Sequence, residues 1–292
     1  MRKLFKLFDY HTHVLDHGLS KSLRIEETIK SAVDKGLNLI CLTDHYPLPS
    51  GFKDPTKEKD CAMPMSWYPE YQKKAGEITK KYSSQIEVLR GAEVDWLPGY
   101  EKWTKEEIAR WSFDYLIGSV HFLGQIKEAK GKRSFVIDYQ EEEFRSGVAY
   151  YGGVRPLIEA YYKEVRSMVN SGLFDGVGHI DLIKKYNDGS LFSEDEKWYR
   201  KEVLQTLDVI AKEKMIMEVN TSGWDRKCNA FYPSFWVLKE ARKRNISVTL
   251  GSDGHTPETI GKDLEKGRAL IKASGYGSIV RFRKREKIEI KI

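Results

Sequence analysis

The residues able to do chemistry are the seven histidines, and each stands at or just beyond the end of an apolar run of the kind that makes a strand. His11 and His13 close the run Asp9-Tyr10-His11-Thr12-His13. Residues two apart on a strand share a face, so both imidazoles can reach one ion. His17 follows four residues later, and His45 ends Thr43-Asp44-His45. His121 follows Gly118-Ser119-Val120, His179 follows Gly178, and His255 follows Gly251-Ser252-Asp253-Gly254. A lone histidine beside a strand end is ordinarily a hydrogen-bonded or surface residue. Seven placed alike need another reading, because chance would put some on helix faces or in the tail. Histidine with carboxylate and without cysteine suits zinc, manganese or iron in an open hydrolytic site.

Acidic residues complete the set. Glu93 ends Arg90-Gly91-Ala92-Glu93, and a carboxylate has two oxygens with which to bridge two cations. Asp253 precedes His255 by two. Asp95, Asp44, Asp9 and Asp181 each neighbour a candidate ligand and are expected to accept a hydrogen bond from its ring and hold its orientation. Ser119 and Ser252 are read as hydrogen-bonding residues, not nucleophiles.

These residues need strands to carry them. Short apolar runs alternate with amphipathic stretches along the whole length, the pattern of strand–helix units around a parallel sheet. Strands are expected near Leu4–Tyr10, Leu39–Thr43, Ile86–Ala92, Tyr115–Ser119, Gly176–Gly178, Ile216–Asn220 and Ser247–Gly251. Ile25, Ile29, Ala32 and Val33 mark a helix stopped by Gly36. Further helices are expected over 155–171, 194–212 with a Ser193/Glu196 capping box, 234–244, and 258–273 after Thr256-Pro257. Residues 46–66 and 123–152 read as long loops, and Ile279–Phe282 with Ile288–Ile292 as a closing or edge strand pair. Seven or eight such units without a glycine-rich phosphate loop favour a closed or nearly closed barrel, in which all strand ends meet at one mouth.

Composition narrows the remainder. The chain has 292 residues, 40% hydrophobic, which fills a core and excludes disorder as the main state. Its net charge of +6 is uneven: residues 281–292 hold six basic side chains against Glu286 and Glu289, so the rest carries only +2. Cys41, Cys61 and Cys228 lie far apart, which excludes a disulfide framework or thiolate zinc cluster and fits a reducing cytoplasm. No apolar run is long enough to cross a bilayer, so no membrane partner is expected.

Together, His11-Thr12-His13, Thr43-Asp44-His45, Gly91-Ala92-Glu93, Gly118-Ser119-Val120-His121, Gly178-His179-Ile180-Asp181 and Gly251-Ser252-Asp253-Gly254-His255 resemble the polymerase-and-histidinol-phosphatase (PHP) family over residues 9 to 261. The runs Phe174–Leu182, Glu218–Gly223 and Tyr232-Pro233-Ser234 resemble its monofunctional histidinol-phosphatase branch. The resemblance implies one PHP domain over residues 1–292, a distorted (β/α)7 TIM-like barrel with three divalent metal ions (zinc, manganese or iron) at its mouth. Carried onto matching positions, His11, His13, Glu93 and Asp253 hold the first ion, Glu93, His121 and His179 the second, and His17, His45 and His255 the third. Glu93, Asp253 and His255 are then the residues expected to carry catalysis.

The implied reaction is hydrolysis of L-histidinol phosphate to L-histidinol and phosphate in histidine biosynthesis, by a hydroxide bridging the Glu93-linked ions. Arg226, Arg155 and Lys185, with Lys184 beside it, are candidates for the phosphate, and Tyr46, Phe122 and Trp224 for the rest of the substrate. The alternative is another PHP phosphoesterase, a nucleotide phosphatase or short-oligonucleotide exonuclease. A basic track beside the mouth would favour it, and a net +2 outside the tail does not. A third reading is a metal-dependent regulatory module without turnover. The expected partner is a small phosphate monoester, not a nucleic acid.

Overall fold

A computed structural model describes residues 7–15, 23–128 and 131–292; His17 and residues 4–6 of the first expected strand lie outside the described residues. In chain order the strands are β1 (Phe8–Thr12), β2 (Leu39–Leu42), β3 (Glu87–Asp95), β4 (Tyr115–Ser119), β5 (Phe122–Glu128), β6 (Gly131–Val136), β7 (Gly176–Val177), β8 (Ile216–Asn220), β9 (Val248–Gly251), β10 (Ser278–Arg283) and β11 (Glu286–Lys291). The helices are α1 (Ile25–Asp34), α2 (Tyr68–Tyr82), α3 (Glu101–Ile108), α4 (Glu141–Tyr151), α5 (Val154–Asn170), α6 (Lys197–Lys212), α7 (Phe235–Lys243) and α8 (Leu264–Ala273).

Seven strands, in the order β1-β2-β3-β4-β7-β8-β9, pair in parallel. The ring closes just past β9: Thr12 bridges Gly254, His13 N–H donates to the Gly254 carbonyl at 2.9 Å, and Asp253 N–H donates to that of His11 at 2.8 Å. This is a distorted seven-stranded TIM-like barrel. Its strands are buried on both faces, which is why Leu39-Ile40-Cys41-Leu42 reads as an unbroken apolar run. A register break in β1 between Asp9 and Thr12 turns two neighbouring side chains inward. Tyr10 packs edge-on to Tyr115 at one end of the barrel, and His11 faces Glu93 at the other.

Helices α1, α5, α6 and α7 and all seven barrel strands fall where the pattern of apolar residues places them. Other elements differ. Residues 123–152, read as a loop, form most of the β5–β6 hairpin and α4, because Phe135 and Phe144 supply apolar anchors that high local charge hides. Helices α2 and α3 escaped the reading altogether; α2 buries Tyr68, Tyr71, Ala75 and Tyr82 through a lysine-rich sequence. Thr256-Pro257 opens a turn, not the helix: Thr259 and Ile260 N–H groups donate to the Thr256 carbonyl, and α8 begins at Leu264. The Lys35 ammonium holds that turn from α1 through the carbonyls of Pro257, Glu258 and Ile260. Only half of the Ser193/Glu196 box forms: Ser193 N–H donates to Glu196, but the Ser193 hydroxyl accepts from Asp195 N–H.

The expected C-terminal strand pair forms as the antiparallel β10–β11 and plugs the N-terminal end of the barrel. Tyr10 Oη donates to the Phe282 carbonyl and accepts from its N–H, both at 2.8 Å, while Phe282 stacks on Tyr115 at 4.7 Å. The basic side chains meet acids at strand starts: Arg281 and Arg283 pair with Glu87, and Arg285 with Asp175. No helix among the described residues is long and apolar enough to cross a membrane.

Phe282 is 1% exposed, whereas the Arg283 side chain is 58% exposed. Phe282→Ala is expected to cost about 3–5 kcal/mol in urea unfolding, and Arg283→Ala under about 1 kcal/mol. Equal losses would show that charge, not apolar burial, seats the plug.

Candidate metal centre

Six of the seven barrel strands end in a histidine or carboxylate that points into the mouth. Glu93, on β3, is 1% exposed and stands at the middle. Its Oε2 lies 3.3 Å from His11 Nε2, 3.6 Å from His13 Nε2 and 3.1 Å from His45 Nδ1. Its Oε1 lies 2.9 Å from His179 Nε2 and 3.7 Å from His121 Nε2, and accepts from Ser119 Oγ at 2.6 Å. One carboxylate therefore presents each oxygen to a different group of imidazoles.

Asp253 Oδ1 completes the first group, 3.2 Å from His13 Nε2 and 3.6 Å from His11 Nε2. Its backbone adopts φ 54, the left-handed region that a non-glycine residue occupies at a cost. Asn220 Nδ2 and Ser222 Oγ hold its other oxygen, each at 3.2 Å. His255, on the same loop, stacks on His13 with ring centres 4.0 Å apart, and the His45 ring lies 4.6 Å from His13. Within these residues, His11–His13–Glu93, Glu93–His121–His179, His13–His45–His255 and His45–Asp95–His121 each bring three donor atoms close enough for one ion. The third of these joins His45 and His255 to His13; His17, expected beside His45 and His255, lies outside the described residues.

The donor geometry fits a metal. Two donors each about 2.0–2.1 Å from one tetrahedral ion stand about 3.3 Å apart, and the nitrogen–oxygen separations about Asp253 and Glu93 straddle that value. His11 Nε2 and His13 Nε2 are buried without a hydrogen-bond partner, a costly state for a polar atom unless something binds there. The electrostatics agree. Burial would lower the His11 pKa, but Glu218, Glu93 and Asp253 outweigh it and hold it well above the ordinary imidazole value. His121 is pushed up to about 10: burial opposes protonation, and Glu93 and Asp95 overcome it. Burial would raise Glu93 and Asp253, yet the histidines around them keep both well below the usual carboxylate range. The cluster is thus an anionic pocket that collects positive charge, as protons or as cations.

Of the four aspartates expected to orient rings, Asp95 accepts from His121 Nδ1 at 2.7 Å. Asp44 accepts from Val14 and Leu15 N–H, Asp9 from Ser252, His11 and Gly261 N–H, and Asp181 from Ser234 N–H and the Lys184 ammonium. Glu218, which no expectation included, does the work for His11, whose Nδ1 lies 2.7 Å from Glu218 Oε1. The two-residue spacing that marks His11 and His13 also links Glu218 to Asn220 on β8, and was the available signal.

A cavity of about 850 Å³ opens above the cluster, within the range of small-molecule sites. Arg226 and Lys185 line it; Arg155 does not. Arg155 sits on the outer face of α5, paired with Glu159 and lying over Trp198. Lys184 is buried against Asp181 and out of reach of a ligand. Among the aromatics Phe122 lines the cavity, Tyr46 is core, and Trp224 is 41% exposed beside Phe231. Glu58, Asp60, Asp138 and Tyr139, from the 46–64 segment and the stretch after β6, form an acidic wall not foreseen by residue.

A parallel α/β barrel with a histidine–carboxylate cluster at its C-terminal mouth defines the class to which this molecule belongs. Within that class, residues 9–222 match the family described as the PHP domain, and the chain belongs to that family. A Deinococcus radiodurans protein named "probable histidinol-phosphatase" is 32% identical over 278 residues, covering 94% of this chain and 95% of that one. The Bacillus subtilis histidinol-phosphatase is 30% identical over 267 residues, covering 87% and 95%. The crystal structure of the Lactococcus lactis histidinol phosphate phosphatase, complexed with zinc, L-histidinol and phosphate, shares the fold at a TM-score of 0.75 and 22% identity, covering 97% of this chain and 99% of that one.

The raised histidines have a consequence for ion binding. Below about pH 6.5 the imidazole–carboxylate attraction at His121 is fully present in the metal-free protein, and it is lost as pH rises through about 10. A divalent cation at neutral pH must displace such protons. Calorimetric titration of metal-free protein with zinc, in two buffers of different ionisation enthalpy, is expected to show net proton release. Identical heats in both buffers would contradict it.

Proposed function

We propose that this PHP-family chain, acting as a single domain, is a phosphoric monoester hydrolase that converts L-histidinol phosphate to L-histidinol and phosphate in histidine biosynthesis. The observation that carries the reading is Glu93, a buried carboxylate offering one oxygen to each of two imidazole groups at the floor of the cavity. Relatives at 30–32% identity over most of the chain bear the name of that activity.

In this reading His11, His13, Glu93 and Asp253 hold a first divalent ion, Glu93, His121 and His179 a second, and His45 and His255 a third, to which the family resemblance also assigns His17. Zinc, manganese and iron all suit these donors. Such ions supply Lewis acidity and charge neutralisation, the two needs of a phosphate monoester that resists anionic attack. The protein's own part is to place and exclude. Arg226 lines the cavity, and its guanidinium makes no ion pair among the described residues, so its planar fork is available to two phosphate oxygens. Lys185 is tied to Asp138 and Lys262 to Asp225, and they shape the rim. Glu58, Asp60 and Asp138 face the same space, a wall suited to the ammonium and imidazole of histidinol. Asp253 and Glu93 stay ionised and hold the reacting centre in register.

The nucleotide and oligonucleotide reading would be favoured by a basic track beside the mouth, and the C-terminal segment does not supply one. The basic C-terminal segment lies at the opposite end of the barrel, where Glu87 and Asp175 hold Arg281, Arg283 and Arg285. Three free cysteines fit a cytoplasmic setting.

Phosphate release from purified, zinc- or manganese-loaded protein tests the substrate. L-Histidinol phosphate is expected to exceed nucleotides and sugar phosphates in kcat/KM, and chelation to abolish turnover. Equal activity on all three classes would remove the substrate assignment, and full activity after chelation the metal dependence. Arg226→Ala is expected to lower kcat/KM about 10- to 100-fold, the loss of a charge-assisted pair, with less effect on a neutral analogue's binding.

A further inference from the structure

Of the seven barrel strands, β8 alone brings no candidate metal ligand to the mouth. The donors come from β1 (His11), β3 (Glu93), and the residues following β1 (His13), β2 (His45), β4 (His121), β7 (His179) and β9 (Asp253, His255). The inward positions of β8 near the mouth are Glu218 and Asn220, two apart and both fully buried. Their contacts reach donors on three other strands. Glu218 Oε1 lies 2.7 Å from His11 Nδ1, and its Oε2 accepts from the His179 backbone N–H at 3.0 Å and from Asn220 Nδ2 at 3.2 Å. The same Asn220 amide donates to Asp253 Oδ2 at 3.2 Å.

The room for this arrangement is built in. A Cβ on Gly251 of β9 would fall 2.3 Å from Glu218 Oε1 and 2.5 Å from His11 Cβ, so only glycine lets the carboxylate lie against the imidazole. Glu218 can only accept. An imidazole that binds an ion through Nε2 must therefore carry its hydrogen on Nδ1 and donate it to Glu218, which aims the Nε2 lone pair at the space between Glu93 and Asp253. The other Glu218 oxygen fixes the backbone of His179, whose ring faces the opposite Glu93 oxygen. A buried carboxylate with a donor on each oxygen is a stiff link, because freeing either oxygen strands charge in the interior.

We infer that Glu218, backed by Asn220, is a positioning residue that ties the two Glu93-linked ion sites together, so that loss of its carboxylate weakens both sites and not His11's alone. This rests on the metal-dependent reading above and extends it to a residue that touches neither ion nor substrate.

The test titrates metal-free wild type, Glu218→Gln and Asn220→Ala with zinc ion alone, with circular dichroism to follow the fold. A glutamine amide has no charge and its NH2 group cannot accept, so one of the His11 and His179 contacts is lost and the other keeps only a neutral acceptor. Glu218→Gln is expected to keep its fold and to weaken both tight zinc-binding events about 10- to 100-fold. Asn220→Ala is expected to weaken chiefly the event that involves Asp253. In zinc-loaded wild type, nitrogen-15 NMR is expected to find the His11 hydrogen on Nδ1. Zinc affinity within twofold of wild type in folded Glu218→Gln, loss confined to one event, or a His11 hydrogen on Nε2 would overturn the inference. If Glu218→Gln fails to fold, the wild-type tautomer decides. Wild type that binds no zinc would overturn the metal-dependent reading as well, whereas wild type that binds zinc beside an unaffected variant overturns this inference alone.

Discussion

The structure turns on one buried negative charge. Glu93 is 1% exposed, and burying a lone carboxylate costs several kcal/mol unless opposite charge comes with it. The histidines supply the means: His11, His45 and His121 keep Glu93 ionised against its burial, and His13 and His179 stand within reach of its oxygens. An imidazole can satisfy such a charge as a proton carrier or as a metal ligand, and the two uses compete. The cluster is thus stable with either partner, and the exchange between them couples metal binding to pH.

That charge sets demands on the scaffold. Donors from strand ends distant in sequence must stay in place together, which the closed barrel provides through the Thr12–Gly254 bridge joining its first and last strands. The left-handed Asp253 is held by Asn220 and Ser222, and its loop is gripped from outside by Lys35. The far end is closed by an aromatic stack of Tyr10, Tyr115 and Phe282. The molecule also keeps its charges apart: the basic hairpin neutralises acids at the N-terminal ends of strands, leaving the mouth to its own cations and carboxylates.

Much of this was legible because strand-end histidines are sparse and positional. Tyr115–Ser119 and Ile216–Asn220 match their expected bounds, since a run of apolar residues buried on both faces leaves a plain signal. The β5–β6 hairpin and helices α2 to α4 were obscure because their charged residues outnumber the few aromatics that anchor them, such as Phe135 and Tyr71. Neighbours in sequence also misled where contact was the question. Asp9 and Asp181 adjoin histidines yet bind backbone, while Glu218 stands 207 residues from the ring it touches. Arg155 sits at a helix start that faces away from the mouth, a direction that spacing alone does not encode.

The most direct test of the account is anomalous scattering from crystals of metal-loaded protein soaked with phosphate. The account predicts a strong peak beside each oxygen of Glu93, the two about 3.5–4 Å apart, and a third beside His45 and His255, with phosphate lying between the ions and Arg226. A single peak away from Glu93, or none, would contradict it.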